Sequence, residues 1–362
     1  MKQFQLKTLC LAIIFMGTGI SCSENNSAEP EPQPTSLVPA PRVEATVIRN
    51  ISGYNNEDYL RLLDNRGRVW VRSLPMNTDI VFKLPQPLSH LLFQWMRSFG
   101  YNYNELGDGP GAYRIQISSN STDGSNGSWE TVVNVQNNVW AARAHEIKGN
   151  NIQWIRFRIT AGGTTIDEFD IHDLSQSKSG DAVDTWAFIG DSITADTYWR
   201  DGQGAPTFNE QVKALRPARF PSMINFGIGG NNSGHVLARL QQIIDNNRGI
   251  YFWAIGIGTN DGNAAQYEQN LKAIIEMLIN NGKQPIIARI PYRNDNPSHN
   301  SIVQSLNVIV DRLTEDYELP AGPDLYRYFE QNPTHLRDGL HPTYTNGVNA
   351  IQRLWAEVAV KL

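Results

Sequence analysis

The chain has 362 residues, which is long enough for two domains. Of these, 40% are hydrophobic and 19% are charged, as in a globular protein, and the formal net charge is -5. The sequence shows no basic cluster of the kind that binds a phosphate backbone, so its composition argues against a nucleic acid as partner.

Residues 1–22 have the pattern of a bacterial lipoprotein signal peptide. Two lysines precede an apolar stretch, Leu9–Met16, that is too short to span a bilayer. The segment Gly19-Ile20-Ser21 stands directly before Cys22 and resembles a lipoprotein cleavage box. We therefore expect a lipid on Cys22. The alternative is ordinary signal cleavage nearby, which would leave the Cys22 thiol unmodified.

The next segment, residues 23–41, is rich in Ser, Glu, Asn and Pro, a composition that cannot bury a core. It is predicted to be a flexible tether that holds the folded part away from a membrane surface. Cys10 and Cys22 are the two cysteines of the chain, and Cys10 would leave with the signal peptide. At most one cysteine then remains, which excludes an internal disulfide and a cysteine metal cage. These features predict a cell-envelope protein, lipid-anchored at the outer membrane or cell surface, or else periplasmic or secreted.

Residues 42–175 are predicted to form an all-β sandwich that accompanies a second domain. Apolar and polar residues alternate in Arg114–Ser118 and again in Trp154–Ile159, as in half-buried strands. Between them, Asn120–Ser128 consists of small polar residues that are typical of a long turn. Long helical periodicity is absent from this part of the sequence, which favours a sandwich.

Several segments of this predicted domain resemble galactose-binding-like (discoidin or carbohydrate-binding) sandwich modules. They are Tyr113–Ser118, Asp123-Gly124, Trp129–Val132 and the later strand Ile166–Ile171. The resemblance implies a module that binds sugar. The alternative is a domain that only supports its catalytic neighbour.

The tryptophans of this domain bear on that choice. We interpret four of them as core residues: Trp70, Trp95, Trp129 and Trp140. Trp154 is the exception, because strand alternation places it on the face opposite Ile155 and Phe157. It is the tryptophan of this domain that we expect to be able to meet a sugar.

Residues 182–362 show an alternation of strands and helices after a polar bridge. Apolar runs such as Ile250–Ile255 and Pro285–Ile290 are strand-like, and amphipathic stripes with helical period separate them. This alternation predicts a parallel sheet between two helix layers. In such open sheets, ligands bind at the carboxyl edge of the strands.

Four stretches of this second domain carry polar residues suited to acyl transfer. They are Ala187–Thr194 with Ser192 in a Gly-Asp-Ser turn, Asn225–Asn232, Gly256–Asp261 and Asp338–Pro342. In chain order they supply a serine, a glycine amide, an asparagine amide, and a paired Asp and His. Acyl transfer needs a nucleophile, a base, a group that orients the base, and donors for the developing oxyanion.

These four stretches resemble, in order and spacing, the blocks of the SGNH (GDSL-type) hydrolases. The resemblance covers about the last half of the chain and implies a flavodoxin-like three-layer α/β/α domain with a five-stranded sheet. It implies that Ser192 is the nucleophile, His341 the base and Asp338 the group that orients the base. The structural alternatives are a serine that caps a helix and an Asp–His pair that stabilises a turn.

The same resemblance implies an oxyanion hole built from three donors. These are the amide of Ser192, the amide of Gly230 and the side-chain amide of Asn260, with Gly227 a less favoured candidate than Gly230. In the alternative interpretation the glycines form a tight turn, and Asn260 and Asp261 cap the next helix. The predicted mechanism requires neither a metal nor an organic cofactor.

The predicted function is a secreted serine esterase that removes O-acyl groups, in the first place acetyl groups, from polysaccharide or oligosaccharide. Secretion, a lipid anchor and a sugar-module-like neighbour favour this substrate, and the resemblance implies an acetylesterase of the carbohydrate-esterase kind. One alternative is a lipase or lysophospholipase of the GDSL type. The other is a non-catalytic, surface-anchored glycan-binding lipoprotein, which the intact serine and histidine argue against.

Overall fold

The computed structural model describes residues 37–66, 73–97, 109–162, 165–199 and 206–362. The predicted signal peptide, Cys22 and most of the predicted tether lie outside these residues, as does Trp70. Among the described helices, none is both long and apolar enough to cross a membrane.

The part of the chain before residue 175, called the β-region below, is built mainly of strands. Its elements are β1 (Leu37–Val38), β2 (Thr46–Val47), α1 (Asn56–Arg61), β3 (Asp79–Arg97), β4 (Ala112–Ser118), β5 (Glu130–Val135), β6 (Ala142–Ala161) and β7 (Ile166–Asp173). Strands β2 to β7 form one antiparallel sheet in the order β2-β3-β6-β4-β5, and β7 also pairs with β3.

The long strand β3 folds back on itself, and this turns the sheet into two layers. Phe82 and Phe93 are eleven positions apart, about 36 Å along a straight strand, yet their ring centroids are 5.6 Å apart. The bend falls where the β3–β6 register breaks between Lys83 and Leu88. Two prolines in this segment, Pro85 and Pro87, lack the N–H that a sheet ladder requires. The all-β architecture predicted for this part of the chain is confirmed.

The remainder, called the α/β region below, alternates strands and helices. Its elements are β8 (Ala182–Val183), β9 (Thr185–Gly190), α2 (Ser192–Trp199), α3 (Phe208–Leu215), β10 (Ser222–Asn225), α4 (Ser233–Asn246), β11 (Phe252–Gly256), α5 (Ala264–Asn280), β12 (Gln284–Arg289), α6 (Pro297–Asp316), β13 (Ala321–Asp324), α7 (Leu325–Gln331), a 3₁₀ helix (Pro333–His335) and α8 (Asn346–Ala359). Five parallel strands run in the order β10-β9-β11-β12-β13. This order is flavodoxin-like, so the predicted fold class is confirmed.

Strand β9, which lies between β10 and β11, shows how the three layers form. Ala187 and Ile189 face an apolar cluster that includes residues of α4, α5 and α6. Their neighbours Trp186 and Phe188 face the opposite cluster, which includes residues of α3, α7 and α8. Because successive side chains of a strand point to opposite faces, one short apolar run anchors both helix layers.

The β-region and the α/β region share one of these apolar clusters. Leu92 of β3 is fully buried in the cluster that contains Trp253, whereas its neighbour Leu91 is fully buried in the β-region's own core. A Cβ atom added to Gly249 would lie 2.7 Å from Leu92 Cδ1, so the two regions approach closely here. Leu92 is therefore part of the interior of the α/β region as much as of the β-region.

Polar contacts also join the two regions. Gln94 Nε2 donates to the carbonyl oxygen of Met223 at 2.9 Å. The side-chain amide of Asn65 donates to Thr207 Oγ1 at 2.5 Å and to Asn209 Oδ1 at 2.8 Å. In addition, β1 pairs in parallel with β8, so residues at the end of the predicted tether lie against the start of the α/β region. The two regions are thus held together along several segments.

A buried ion cluster lies beside this contact. Arg42 Nε lies 2.8 Å from Asp170 Oδ1, and Arg42 Nη2 lies 3.1 Å from Glu168 Oε1. Both carboxylates are almost fully buried. Burial raises the pKa of Glu168 well above its usual value, Asp170 raises it further, and Arg42 opposes the rise. The single arginine therefore holds two carboxyl groups in the interior.

Candidate active site

Ser192 is the first residue of α2, directly after the carboxyl end of β9. The turn that delivers it is tightly packed, because a Cβ atom added to Gly190 would lie 2.2 Å from the carbonyl oxygen of Gly256. Glycine is thus required where β9 ends beside β11. The serine stands at the edge of the sheet where ligands bind in this fold.

Asp338 and His341 lie in a loop between the 3₁₀ helix and α8. An isolated antiparallel bridge between Leu336 and Pro342 closes this loop. Inside it, the amide of Arg337 donates to the carbonyl oxygen of His341 at 2.9 Å. Gly339 has φ +81°, a conformation that favours glycine, and its carbonyl accepts a hydrogen bond from the Asn294 amide at 2.9 Å. The loop is therefore held in a defined shape.

The structure brings the predicted nucleophile, base and orienting carboxylate together. His341 Nε2 lies 2.9 Å from Ser192 Oγ, and His341 Nδ1 lies 2.8 Å from Asp338 Oδ2. The other carboxylate oxygen, Asp338 Oδ1, accepts from the amides of His341 at 2.7 Å and Leu340 at 3.0 Å. Both carboxylate oxygens of Asp338 are thus engaged, one with the imidazole and one with the loop backbone.

The electrostatic environment keeps Asp338 ionised. Partial burial would raise the pKa of this carboxyl group, but hydrogen bonds from the His341 amide, the His341 ring and the Leu340 amide outweigh it. The resulting pKa of Asp338 lies below its usual value. A carboxylate in this position accepts from Nδ1–H and leaves Nε2 free to take a proton from Ser192 Oγ.

Asp191, immediately before the serine, is a buried carboxyl group. Its Oδ1 accepts from the amide of Ile193 at 2.9 Å, so Asp191 caps the start of α2. Burial raises the pKa of Asp191 to about 7, and nearby Asp261 adds to the rise, while hydrogen bonds from Ile193 and Thr259 oppose it. The helix cap that we considered for Ser192 is therefore supplied by its neighbour, and the Ser192 hydroxyl faces His341.

Of the two glycines considered as amide donors, Gly227 is occupied. Its amide donates to Asn225 Oδ1 at 2.8 Å, and a Cβ atom there would lie 2.4 Å from the Ala195 nitrogen. Gly230 has φ +75° and open space around its Cβ position. Within the described part of the chain its amide has no acceptor among the backbone hydrogen bonds. Gly230 therefore stays the predicted second donor.

Asn260 lies in the loop after β11 and is exposed. Its Nδ2 donates to the carbonyl oxygen of Asn231 at 2.9 Å, which fixes the side chain and leaves a second N–H. The cap of α5 is Asn263, whose side chain accepts from the Gln266 amide. Asn260 is therefore not needed as a helix cap.

Asp261, considered in the sequence as a cap of the helix that follows it, accepts hydrogen bonds from α4 instead. It accepts from the Ser233 amide at 3.0 Å and from Ser233 Oγ at 2.5 Å, at the start of α4. The next helix along the chain, α5, is capped by Asn263 instead. Asp261 thus ties the loop that contains Asn260 to the segment after Gly230.

The sequence did not single out three charged residues beside this site. Arg337 binds Asp196 of α2, and Arg293 Nη1 donates to the carbonyl oxygen of Thr259 at 3.2 Å. Arg337 directly precedes the Asp338–Pro342 stretch, so its position near the site was predictable from the sequence. Its contact with Asp196 was not predictable. Arg293 and Asp196 belong to no motif, and only the tertiary structure reveals their position.

The tryptophans of the β-region have structural roles where they are described. Trp154 does lie on the face opposite Ile155 and Phe157, but it is buried and its Nε1 donates to the carbonyl oxygen of Ser121 at 2.8 Å. A loop thus covers the ring that we expected to meet a sugar. The interpretation of Trp129 as a core residue was wrong: it is half-buried, and the guanidinium of Arg156 stacks on its ring at 3.7 Å from the centroid.

The chain resembles one family of known proteins over part of its length. Residues 188–345 match the model of the GDSL-like Lipase/Acylhydrolase family. No curated protein sequence matches the chain significantly.

The chain is also similar to two solved structures. A variant of an acetyl xylan esterase from Geobacillus stearothermophilus is 19% identical, with 48% of this chain and 94% of that chain covered and a TM-score of 0.40. A lipase/acylhydrolase from Enterococcus faecalis is 24% identical, with 49% and 96% covered and a TM-score of 0.41.

The family match covers the strands and loops that carry Ser192, Gly230, Asn260, Asp338 and His341. Residues 188–345 of the α/β region are therefore similar to a GDSL/SGNH hydrolase domain. This similarity supports a carboxylic ester hydrolase that acts on acyl groups.

Proposed function

We propose that the protein is a serine esterase that removes O-acyl groups, in the first place acetyl groups, from polysaccharide or oligosaccharide. The observation that carries this proposal is the hydrogen-bonded chain from Ser192 Oγ through the His341 imidazole to Asp338, with links of 2.9 and 2.8 Å. A free serine hydroxyl is a weak nucleophile, and such a chain is the arrangement that activates it.

In the first half of the reaction, Ser192 Oγ attacks the ester carbonyl carbon while His341 Nε2 takes the hydroxyl proton. The tetrahedral intermediate collapses, the bond to the alcohol oxygen breaks, and His341 returns the proton to that leaving oxygen. An acyl-enzyme on Ser192 remains. Asp338 stabilises the imidazolium that forms between the two proton transfers.

In the second half, water attacks the acyl-enzyme while His341 takes one of its protons. Collapse releases acetate and returns the proton to Ser192 Oγ. In both tetrahedral intermediates the negative oxygen meets the amides of Ser192 and Gly230 and the second N–H of Asn260. Removing one such donor typically costs about 10²–10³ in turnover.

The substrate class rests on context. The sequence pattern of residues 1–22 favours export, and the β-region resembles sugar-binding modules, so an acylated glycan is the substrate that we propose. Nothing in the mechanism above depends on a particular sugar, and the same site can act on a soluble ester. Peptidoglycan and plant polysaccharide are both O-acetylated glycans that this proposal includes.

The test is acetate release by the purified protein, with Ser192→Ala as the matched inactive control. The panel contains acetylated xylo-oligosaccharides, O-acetylated peptidoglycan, a nitrophenyl acetate, a nitrophenyl octanoate and a lysophospholipid. The expected result is release from acetylated glycans with a kcat/KM above that for the octanoate and the lysophospholipid. A preference for the long acyl chain would favour the lipase alternative, and no turnover at all would favour the glycan-binding alternative.

We also propose that Cys22 becomes the lipid-bearing N-terminus, which would anchor the protein at the outer membrane or cell surface. The support is the charged start, the short apolar stretch and the single cysteine that precedes a polar segment. Mass spectrometry of the native protein tests it. A mature N-terminus downstream of Cys22, or an unmodified Cys22 thiol, would contradict the proposal.

A further inference from the structure

We infer that Arg337 and Asp196 are a positioning pair that holds the His341 loop against the nucleophile helix. This inference deepens the proposed function and rests on it. Neither residue touches the reacting atoms in the described structure, since both act through the backbone that carries Ser192 and His341. The inference rests on the contacts of these two side chains and not on a sequence motif.

The first observation is the spacing of two parallel links between α2 and the loop. Ser192 and Asp196 are four positions apart and therefore lie on one face of α2. Their partners, His341 and Arg337, are also four positions apart in the loop. Ser192 Oγ meets His341 Nε2 at 2.9 Å, and Arg337 Nη2 binds Asp196 Oδ2. The loop is thus attached to α2 at both ends of one helical turn.

The second observation is that Arg337 also braces the loop from within. Its Nη1 donates to the carbonyl oxygen of Pro342 at 3.1 Å, and its Nε lies 3.9 Å from Asp338 Oδ2. The amide of the same residue donates to the His341 carbonyl at 2.9 Å. Arg337 therefore contacts Asp338, His341 and Pro342, and its guanidinium also lies over the Tyr344 ring at 4.6 Å.

The third observation is the burial of Asp196. Its side chain is 0% exposed, and that of Arg337 is 25% exposed. A fully buried carboxylate needs a well-placed cation, so Asp196 fixes where Arg337 must lie. The planar guanidinium then transmits that position to the loop, because its donors point in fixed directions. A flexible surface ion pair would not have this effect.

The same domain contains a matched pair that lacks any contact with the site. Arg219 Nε and Nη2 bind Asp184 at 2.8 and 2.9 Å, and Asp184 is 1% exposed. Asp184 precedes β9, so this pair lies at the opposite end of the strand from Ser192. Loss of either arginine removes the cation from a buried carboxylate, but only Arg337 contacts the His341 loop in the described structure.

The experiment compares Arg337→Met, Arg337→Lys, Asp196→Asn and the double variant R337M/D196L with Arg219→Met. Kinetics use a small soluble ester, and melting temperatures give the loss of stability. We expect Arg337→Met to lower kcat about 10–100-fold with KM within about twofold of wild type, as for a small displacement of catalytic groups. Arg337→Lys should recover part of kcat, and Arg219→Met should leave kcat within about twofold even where it melts earlier.

Two kinetic results would overturn the inference. One is a kcat of Arg337→Met within about twofold of wild type, and the other is a loss of kcat that Arg219→Met reproduces at equal stability. If Arg337→Met does not fold, R337M/D196L replaces it, because that variant removes both charges. Asp196→Asn combined with Arg337→Met should be no slower than Arg337→Met alone, since the two residues act as a unit.

A crystal structure of Arg337→Met, or of R337M/D196L, gives a readout that needs no activity. We expect the distance from Ser192 Oγ to His341 Nε2 to exceed hydrogen-bond range. An unchanged distance of 2.9 Å would overturn the inference even in an active enzyme. A wild-type protein that hydrolyses no ester would instead contradict the proposed function, and the structural comparison would still decide the role of Arg337.

Discussion

Arg42, Glu168 and Asp170 of the β-region meet in the interior, whereas Asp338 and His341 of the α/β region meet at the surface. The Glu168 side chain is 3% exposed and that of Asp338 is 49% exposed. Glu168 lies beside the Arg42 cation and Asp338 beside the His341 imidazole, but burial raises the pKa of Glu168 while hydrogen bonds lower the pKa of Asp338. Glu168 is thus enclosed in the interior, whereas Asp338 is placed to orient the His341 imidazole as a proton acceptor.

The comparison separates what the two regions contribute. The described β-region brings no residue into the triad, yet Leu92 and Asn65 contact the half that does the chemistry. The α/β region supplies every group of the predicted mechanism. The β-region is therefore joined to the catalytic half by core and polar contacts, unlike a module on a flexible linker.

The most severe test of this division is Ser192→Ala. We expect it to lower kcat by about 10⁴–10⁶, because base and nucleophile act as a unit, while the melting temperature stays within about 2 °C of wild type. Ester hydrolysis and thermal unfolding measure the two effects. Ser301→Ala, an exposed serine of α6, is the matched control and should keep full activity. A folded Ser192→Ala protein with wild-type activity would contradict the proposed mechanism.

Asn260→Ala sharpens the comparison inside the site. The variant removes the predicted side-chain donor, and we expect kcat to fall about 10²–10³ with little change in KM. Asn263→Ala is the control, because Asn263 only caps α5 a few residues later. It should cost about 1 kcal/mol of stability and leave kcat unchanged. Equal kcat values for the two variants would exclude Asn260 from the oxyanion hole.

Much of the fold and of the candidate site was predictable from the sequence, and what was not predictable has physical causes. The order of strands and helices follows from hydrophobic period, and motifs gave Ser192, Asp338 and His341 because the chemistry restricts those positions to few residue types. The partner of Arg337 was not predictable, because an ion pair between residues 141 positions apart leaves no local pattern. Trp154 was placed on the correct face, but the loop that covers it lies outside the strand's own alternation.

The shared core is tested by two neighbouring leucines of β3. Leu91 and Leu92 are both fully buried, but Leu91 packs in the β-region's own core and Leu92 in the shared cluster. Each Leu→Ala variant should cost about 2–5 kcal/mol in the free energy of unfolding. Urea unfolding followed by circular dichroism, with residual esterase activity as a second probe, measures both.

If the two regions unfold as a unit, Leu91→Ala and Leu92→Ala will shift both probes equally. Separate transitions, with activity that survives after Leu91→Ala has melted the β-region, would show that the shared cluster does not couple the regions. Activity lost together with the β-region signal in both variants would support coupling. This result would also predict that a fragment that begins at Ala182 does not fold alone.

The smallest effect concerns pH and the buried carboxyl group beside the nucleophile. Burial raises the pKa of Asp191 from 3.8 to about 7, so the folded protein binds this proton more tightly than the unfolded chain does. The contribution of this proton to the free energy of unfolding is fully present below about pH 4, the pKa of this group in the unfolded chain. It is lost as the pH rises through about 7, the pKa of the group in the folded protein. Asp191→Asn keeps the oxygen that accepts from the Ile193 amide and cannot ionise. The free energy of unfolding of wild type, measured by urea titration, should therefore fall relative to Asp191→Asn by about 1–3 kcal/mol between pH 4.5 and 8.5. Parallel curves for the two proteins would contradict the raised pKa, and a wild type that gains stability relative to the variant as pH rises would reverse its sign.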